Sequence, residues 1–249
     1  MSFEASEFEF RNRFWFMAGI VALGFSLYHF DRLNASEALA ALVLGGHPDK
    51  DSIAFGHWIR GFFLLGTLTV TLGALIRSWA ASYLRSSIVH DRALHGEELV
   101  ADGPYRYVRN PLYLGNLFLA IGFGLLASRL GFVVISVGTL LFAYRLILAE
   151  QAVLLKWHGG GYQRYLAAVP RLFPALTPRV QPVGSKPNWL DGFTSEIFMW
   201  GAALGMAAFT LTRSVGWFWS VFGTGMIIYF LQFSLRSRRD QAAKGASSF

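Results

Sequence analysis

The chain has 249 residues, of which 54% are hydrophobic and only 15% charged. Soluble domains carry a charged fraction of about 25%, so an ordinary water-soluble fold is excluded, and the absence of cysteine excludes disulfides, thiolate metal ligands and cysteine nucleophiles. The formal net charge of +7 is assigned to cytoplasmic loops facing anionic lipid and not to nucleic-acid binding.

The N-terminal stretch MSFEASEFEFRNRF is acidic and polar, unlike a cleavable signal peptide, so the first apolar run is expected to stay. A helix crossing a hydrocarbon core about 30 Å thick needs roughly 17 to 25 apolar residues. Six stretches meet that need: 14–30, 53–76, 111–127, 130–149, 196–212 and 215–233. Residues 35–46, ASEALAALVLGG, are too short to span and read as an interfacial or re-entrant helix. The third and fourth stretches are separated only by residues around Ser128 and Arg129, which predicts a helical hairpin whose far ends return to one membrane face.

Lys and Arg concentrate in segment 77–110 (Arg77, Arg85, Arg92, Arg106, Arg109), in segment 150–195 and in the C-terminal tail. With six spans these segments share one side, which places both termini in the cytoplasm. The proline-rich run 170–188 is expected to lie as an ordered or semi-rigid connection on that surface. The predicted fold class is therefore all-α, a polytopic membrane bundle forming one integral-membrane domain over 1–249. Within it, 1–96 supplies N-terminal spans, 97–175 a core, and 176–249 C-terminal spans with a basic tail.

Two polar constellations stand at the ends of the hairpin. In GPYRYVRNPLYLGN, residues 103–116, Asn110 and Pro111 form a helix start, since asparagine is a favoured N-cap and proline a favoured first helical residue. A helix N-terminus presents unpaired N–H groups that suit a carboxylate or phosphate. Taken alone, the fragment also reads as a capped helix with interfacial tyrosines and snorkelling arginines. At the other end, Arg145 and Glu150 sit near the close of the fourth span, where an ionisable group is paired, solvated, snorkelling or functional. Gly159 to Gly161 then reads as a hinge, a backbone-approach site or simply a turn, and Tyr162, Tyr165, Leu166 and Val169 follow at helical spacing as a short amphipathic helix along the membrane surface. The hairpin should bring Asn110, Tyr113, Arg145 and Glu150 to one depth.

GPYRYVRNPLYLG followed by AEQAVLLKWHGGGYQRYLAAVP resembles the isoprenylcysteine carboxyl methyltransferase family and its relatives, the membrane phospholipid N-methyltransferases. The matching positions are Leu99, Val100, Gly103, Pro104, Tyr105, Arg109, Pro111 and Tyr113, then Glu150, Leu154, Gly159, Tyr162, Tyr165, Val169 and Pro170, over roughly 97–175. The resemblance implies S-adenosylmethionine as methyl donor in a cytoplasmic pocket formed by Leu99, Val100, Tyr105, Asn110, Pro111, Leu112, Tyr113 and Glu150. It implies Arg145 as the group that neutralises an acceptor carboxylate, with Glu150 as its catalytic neighbour, and a lipid-like or prenylated acceptor entering from the bilayer; no metal is called for. Three positions depart from the pattern: Asn110 replaces a histidine, Gln151 a second glutamate, and His158 a phenylalanine. Asparagine keeps the hydrogen-bonding capacity of histidine but cannot titrate near neutrality.

Two other readings compete. A nicotinamide-dependent membrane reductase shares the polytopic plan but would need more cations for a pyrophosphate. A non-catalytic membrane protein would use the same motifs as caps and anchors.

Overall fold

The computed structural model describes residues 3–44, 46, 49–91 and 101–246. The described residues are organised as helices and connecting turns: α1 (Glu7–Arg11), α2 (Arg13–Ser26), α3 (Ala35–Leu44), α4 (Ile53–Asp91), α5 (Pro111–Gly124), α6 (Arg129–Ala168), α7 (Trp189–Ser195), α8 (Ile197–Thr212) and α9 (Val215–Ala246). Each of the six expected apolar stretches is helical over most of its length. Two of these helices, α4 over Ile53–Leu84 and α6, are long and apolar enough to cross a membrane, while α5, α8 and Val215–Leu231 of α9 are shorter apolar helices. The long helices turn apolar stripes outward at helical spacing, Leu64, Leu68, Leu72 and Leu75 on α4 and Leu130, Val133, Val137 and Leu140 on α6. Faces of that kind suit hydrocarbon and not water.

Local chemistry sets the helix ends. In α1 the Ser6 side chain accepts from the Glu9 N–H at 3.2 Å, while the Ser6 N–H donates to the Glu9 carboxylate at 2.7 Å, a reciprocal capping box. Ser128, fully buried, caps α6 by accepting from the Gly131 N–H at 3.1 Å. The α5–α6 hairpin is thus as tight as expected, and its closed end is clasped by the chain before α3. The Tyr28 hydroxyl and the Asn34 amide both donate to the Leu126 carbonyl, at 2.7 and 3.0 Å, and the Ala35 and Arg129 N–H groups bond across to Ala127 and Leu33.

Asp31 completes this clasp. Its carboxylate accepts from Arg129 Nη2 at 3.0 Å and from the Leu130 N–H at 3.0 Å, with its side chain only 5% exposed. The hydrogen bond from Arg129, helped by the backbone N–H groups of Leu130 and Leu33, holds the Asp31 carboxyl below its ordinary value. A carboxyl depressed in the folded state adds stability that is complete above its unfolded value, near 3.9, and lost as pH falls through the folded one. Thermal unfolding in detergent should show a midpoint that drops below about pH 4 in the wild type and a flatter profile there in Asp31→Asn. Equal acid sensitivity in both proteins would remove the clasp as a source of acid lability.

Helices α4 and α5 pack through glycines. A Cβ on Gly73 would lie 2.7 Å from the Gly115 carbonyl, and one on Gly115 would lie 2.8 Å from the Gly73 carbonyl; Gly66 and Gly122 repeat the approach one level along. Without side chains at these points the two backbones meet directly, as small-residue interfaces in membranes do. Gly115→Ala is expected to lower stability by about 1–3 kcal/mol, since the added methyl meets backbone and the Arg77 side chain. An unchanged melting temperature would show that α4 and α5 are free to separate.

One expectation about the basic segments changes. Residues 77–91 belong to α4 and not to a loop, because Arg77 is satisfied inside the bundle by Glu196 and so need not leave it. Arg92 lies outside the described residues. The proline-rich run is ordered, as expected, and strapped along 101–110: the N–H groups of Arg109, Ala175 and Arg179 bond to the carbonyls of Pro170, Tyr107 and Arg106 at 2.8–2.9 Å. The Asp102 carboxylate accepts from the N–H groups of Val183 and Ser185, at 2.8 and 2.7 Å.

Candidate active site

The site forms where the start of α5 meets the middle of α6. A short 3₁₀ turn, Gly103–Arg106, leads into it. Gly103 has φ +57°, and a Cβ there would strike the Tyr83 ring, so the turn needs glycine. The turn buries Tyr105, whose carbonyl accepts from the Tyr165 hydroxyl at 2.8 Å. Burial pushes the Tyr105 phenol above its ordinary value, with Tyr165 and Glu150 adding to the effect, so it stays protonated.

Asn110 occupies the N-cap position of α5 and Pro111 the first helical position, as the sequence predicts. The Asn110 side chain, however, does not cap. Its amide donates to the Arg171 carbonyl at 2.8 Å, a tertiary bond that outcompetes the local one. The first turn of α5 is therefore left without a side-chain cap, with its N–H groups and positive dipole end available. Leu112 contributes its carbonyl, which accepts from Arg77 Nη1 at 3.1 Å.

Opposite this turn, the Tyr113 phenol faces the Glu150 carboxylate from the next helix. The cation acting on both is Arg13, at the start of α2. In the sequence Arg13 is one of several basic residues flanking the first apolar run, and nothing in its spacing ties it to position 150. Arg145 is placed differently from the expected acceptor-facing role. It pairs with Glu9 at 2.8 Å and donates to the Phe3 and Glu4 carbonyls, while its own carbonyl accepts from the Ala5 N–H. The N-terminal segment is thereby tied to α6. Leu99 and Val100 lie outside the described residues.

Beyond Glu150, α6 bends at Gly159, where φ +53° and ψ −130° leave the helical region. The bend turns Tyr162, Tyr165 and Val169 inward against Ala101, where the two tyrosine rings stack with centroids 6.0 Å apart. The glycines are therefore a direction change, limited to one residue. Among the described residues, no three His, Asp or Glu side chains converge as metal ligands would.

Tyr105, Tyr113 and Glu150, together with the opening of α5, thus form one cluster inside a stretch that also matches a known family. Residues 62–160 match the phospholipid methyltransferase family model. Over this stretch the chain is therefore similar to the phospholipid methyltransferases. The chain is 34% identical over 115 residues to the protein-S-isoprenylcysteine O-methyltransferase of Schizosaccharomyces pombe, covering 42% of this chain and 46% of that one. It is 28% identical over 147 residues to a nickel-cobalt-cadmium resistance protein of Alcaligenes xylosoxydans xylosoxydans, and 27% identical over the same length to a cobalt-zinc-cadmium resistance protein of Cupriavidus metallidurans. Those two alignments cover 59% of this chain and 63% and 62% of the relatives, so the chain spans less than two thirds of the length of each. No solved structure matches.

Proposed function

We propose that the protein is an integral-membrane methyltransferase that transfers a methyl group from S-adenosylmethionine to a carboxylate on a lipid-like, isoprenylcysteine-type acceptor. The observation that carries this reading is the meeting of Tyr113 and Glu150 at the uncapped first turn of α5, inside the stretch that matches the family. The six apolar helices are read as spans, with both termini and the pocket in the cytoplasm.

The residues present fit such a donor. Glu150 supplies an anion for its ammonium or its ribose hydroxyls, Tyr113 and Tyr105 supply ring faces, and Asn110, Pro111 and Leu112 set the position of the α5 N–H groups. Leu99 and Val100 are the further residues that the resemblance implies for donor binding. Bound S-adenosylmethionine supplies an activated methyl on a sulfonium, so a carboxylate acceptor is already the nucleophile and no side chain has to remove a proton. What remains for the protein is alignment and exclusion of water. The positive charge of Arg13 favours the ionised Glu150 carboxylate, and the buried Tyr105–Tyr165 contact fixes the wall beside it. Arg145, a few residues before Glu150, would orient the acceptor carboxylate if the Glu9 pairing opens.

Calorimetric titration of the detergent-purified protein with S-adenosylhomocysteine tests the reading. Saturable binding, with none of NADPH, is the expected result. Binding of NADPH in its place would make the protein a reductase, and binding of neither would withdraw the methyltransferase assignment.

A further inference from the structure

Arg109 and Arg171 lie side by side because their segments are joined. The Arg109 N–H donates to the Pro170 carbonyl at 2.9 Å, and the Asn110 amide to the Arg171 carbonyl at 2.8 Å. Two guanidinium groups held this close repel one another. Burial lowers the Arg109 pKa, and Arg171 lowers it further. Among the described residues neither guanidinium forms an ion pair. Arg171 instead places Nη1 on the Tyr144 hydroxyl, lies 4.9 Å over the Tyr144 ring, and gives Nη2 to the Gln151 carbonyl oxygen at 3.3 Å.

Three donors in this cluster are left over. Arg109 Nε, Arg171 Nε and Gln151 Nε2 are all buried and have no hydrogen-bond partner, and Gln151 as a whole is only 7% exposed. Burying such donors without acceptors is unfavourable, because each has given up its hydrogen bond to water. Two positive charges and three spare N–H groups match what a planar oxyanion accepts. Gln151 follows Glu150 directly in α6, and Tyr162 feels the charges of Arg109, Glu150 and Arg171 together, so the cluster borders the Glu150 site. Gln151 is also a position where the sequence departs from the resembled motif, which has a glutamate there; a carboxylate at 151 would give the arginines a counter-charge from the chain itself.

We propose that Arg109, Arg171 and Gln151 form a carboxylate-binding subsite that takes its counter-charge from a ligand of the neighbouring site, either the amino-acid end of the methyl donor or the acceptor. This rests on the methyltransferase reading for the identity of the ligand, and on the unpartnered donors for the subsite itself.

The test uses two ligand pairs, each differing in one carboxylate. S-adenosylhomocysteine is compared with its decarboxylated analogue, and an N-acetyl-S-farnesylcysteine with its methyl ester, by calorimetry on wild type, Gln151→Glu and Arg171→Met. Wild type should prefer the carboxylate member of one pair by about tenfold or more, and both variants should lose that preference. Loss in the first pair assigns the subsite to the donor, and loss in the second to the acceptor. Retention of both preferences in both variants overturns the proposal. Gln151→Glu should also raise the melting temperature, because the new carboxylate neutralises the arginines. That readout needs no ligand, so a wild type that binds no S-adenosylhomocysteine would sink the function while leaving the subsite open to judgement, and a Gln151→Glu that fails to stabilise would sink the subsite.

Discussion

Glu150→Gln is expected to weaken S-adenosylhomocysteine binding by about 10- to 100-fold, the range that follows from losing hydrogen bonds to a charged group. Methyl transfer should fall by at least as much. The substitution is nearly isosteric and keeps an acceptor oxygen for Tyr113, so the fold should survive; what disappears is the anion that Arg13 and a bound ammonium would share. Calorimetry beside thermal unfolding separates the two effects. Equal affinity in wild type and variant would remove Glu150 from the donor site, and a collapsed melting transition would make it a structural residue.

Arg77→Met is expected to be the most destabilising single change. Arg77 is 16% exposed and donates through Nε and Nη2 to both oxygens of Glu196, at 2.7 and 3.0 Å, and through Nη1 to the Leu112 carbonyl and the Asn116 side chain, at 3.1 and 2.9 Å. Glu196 is itself 6% exposed. Removing one member of a buried pair leaves an uncompensated charge and costs about 3–5 kcal/mol, whereas replacing both members by neutral groups costs much less. Arg77→Met should thus melt far below wild type, and adding Glu196→Gln should recover much of the loss. Equal instability of the single and double variants would show that shape, not charge, dominates at this position. Because Arg77 also holds the Leu112 carbonyl, the single variant should bind donor less well even where it remains folded.

Much of this site was legible in the sequence because it depends on local rules. Asn110–Pro111 marks where α5 begins, Ser128 marks the turn of the hairpin, and Gly159 marks where α6 changes direction. With those three points fixed, the short connection between the arms returns Glu150 to Tyr113. The resemblance over 97–175 points to the same residues independently.

Other features depend on partners that no spacing encodes. Arg77 reads as the start of a basic loop until Glu196, 119 positions away, is seen to neutralise it. Asn110 has the sequence of an N-cap, yet the strap of residues 170–188 offers it a carbonyl and takes its amide away from the helix. Arg145 was expected to face an acceptor, and a glutamate in a five-residue helix at the other end of the chain engages it. Arg13 and Arg171 were countable only as positive charges, and Arg109 only as a position of the resembled motif; their grouping around Glu150 and Gln151 comes from the packing of α2, the 101–110 segment and the strap.

The clasp at the closed end of the α5–α6 hairpin also dictates where the molecule can breathe. Tyr28, Asp31, Asn34 and Arg129 rivet the two arms to the preceding chain at that end. At the opposite end, next to Glu150, α6 is secured from the N-terminal side by the Glu9–Arg145 pair and the Ala5 bond. The hairpin is therefore riveted most densely at its bend, so any parting of its two arms is expected at the tips, beside Tyr113 and Glu150.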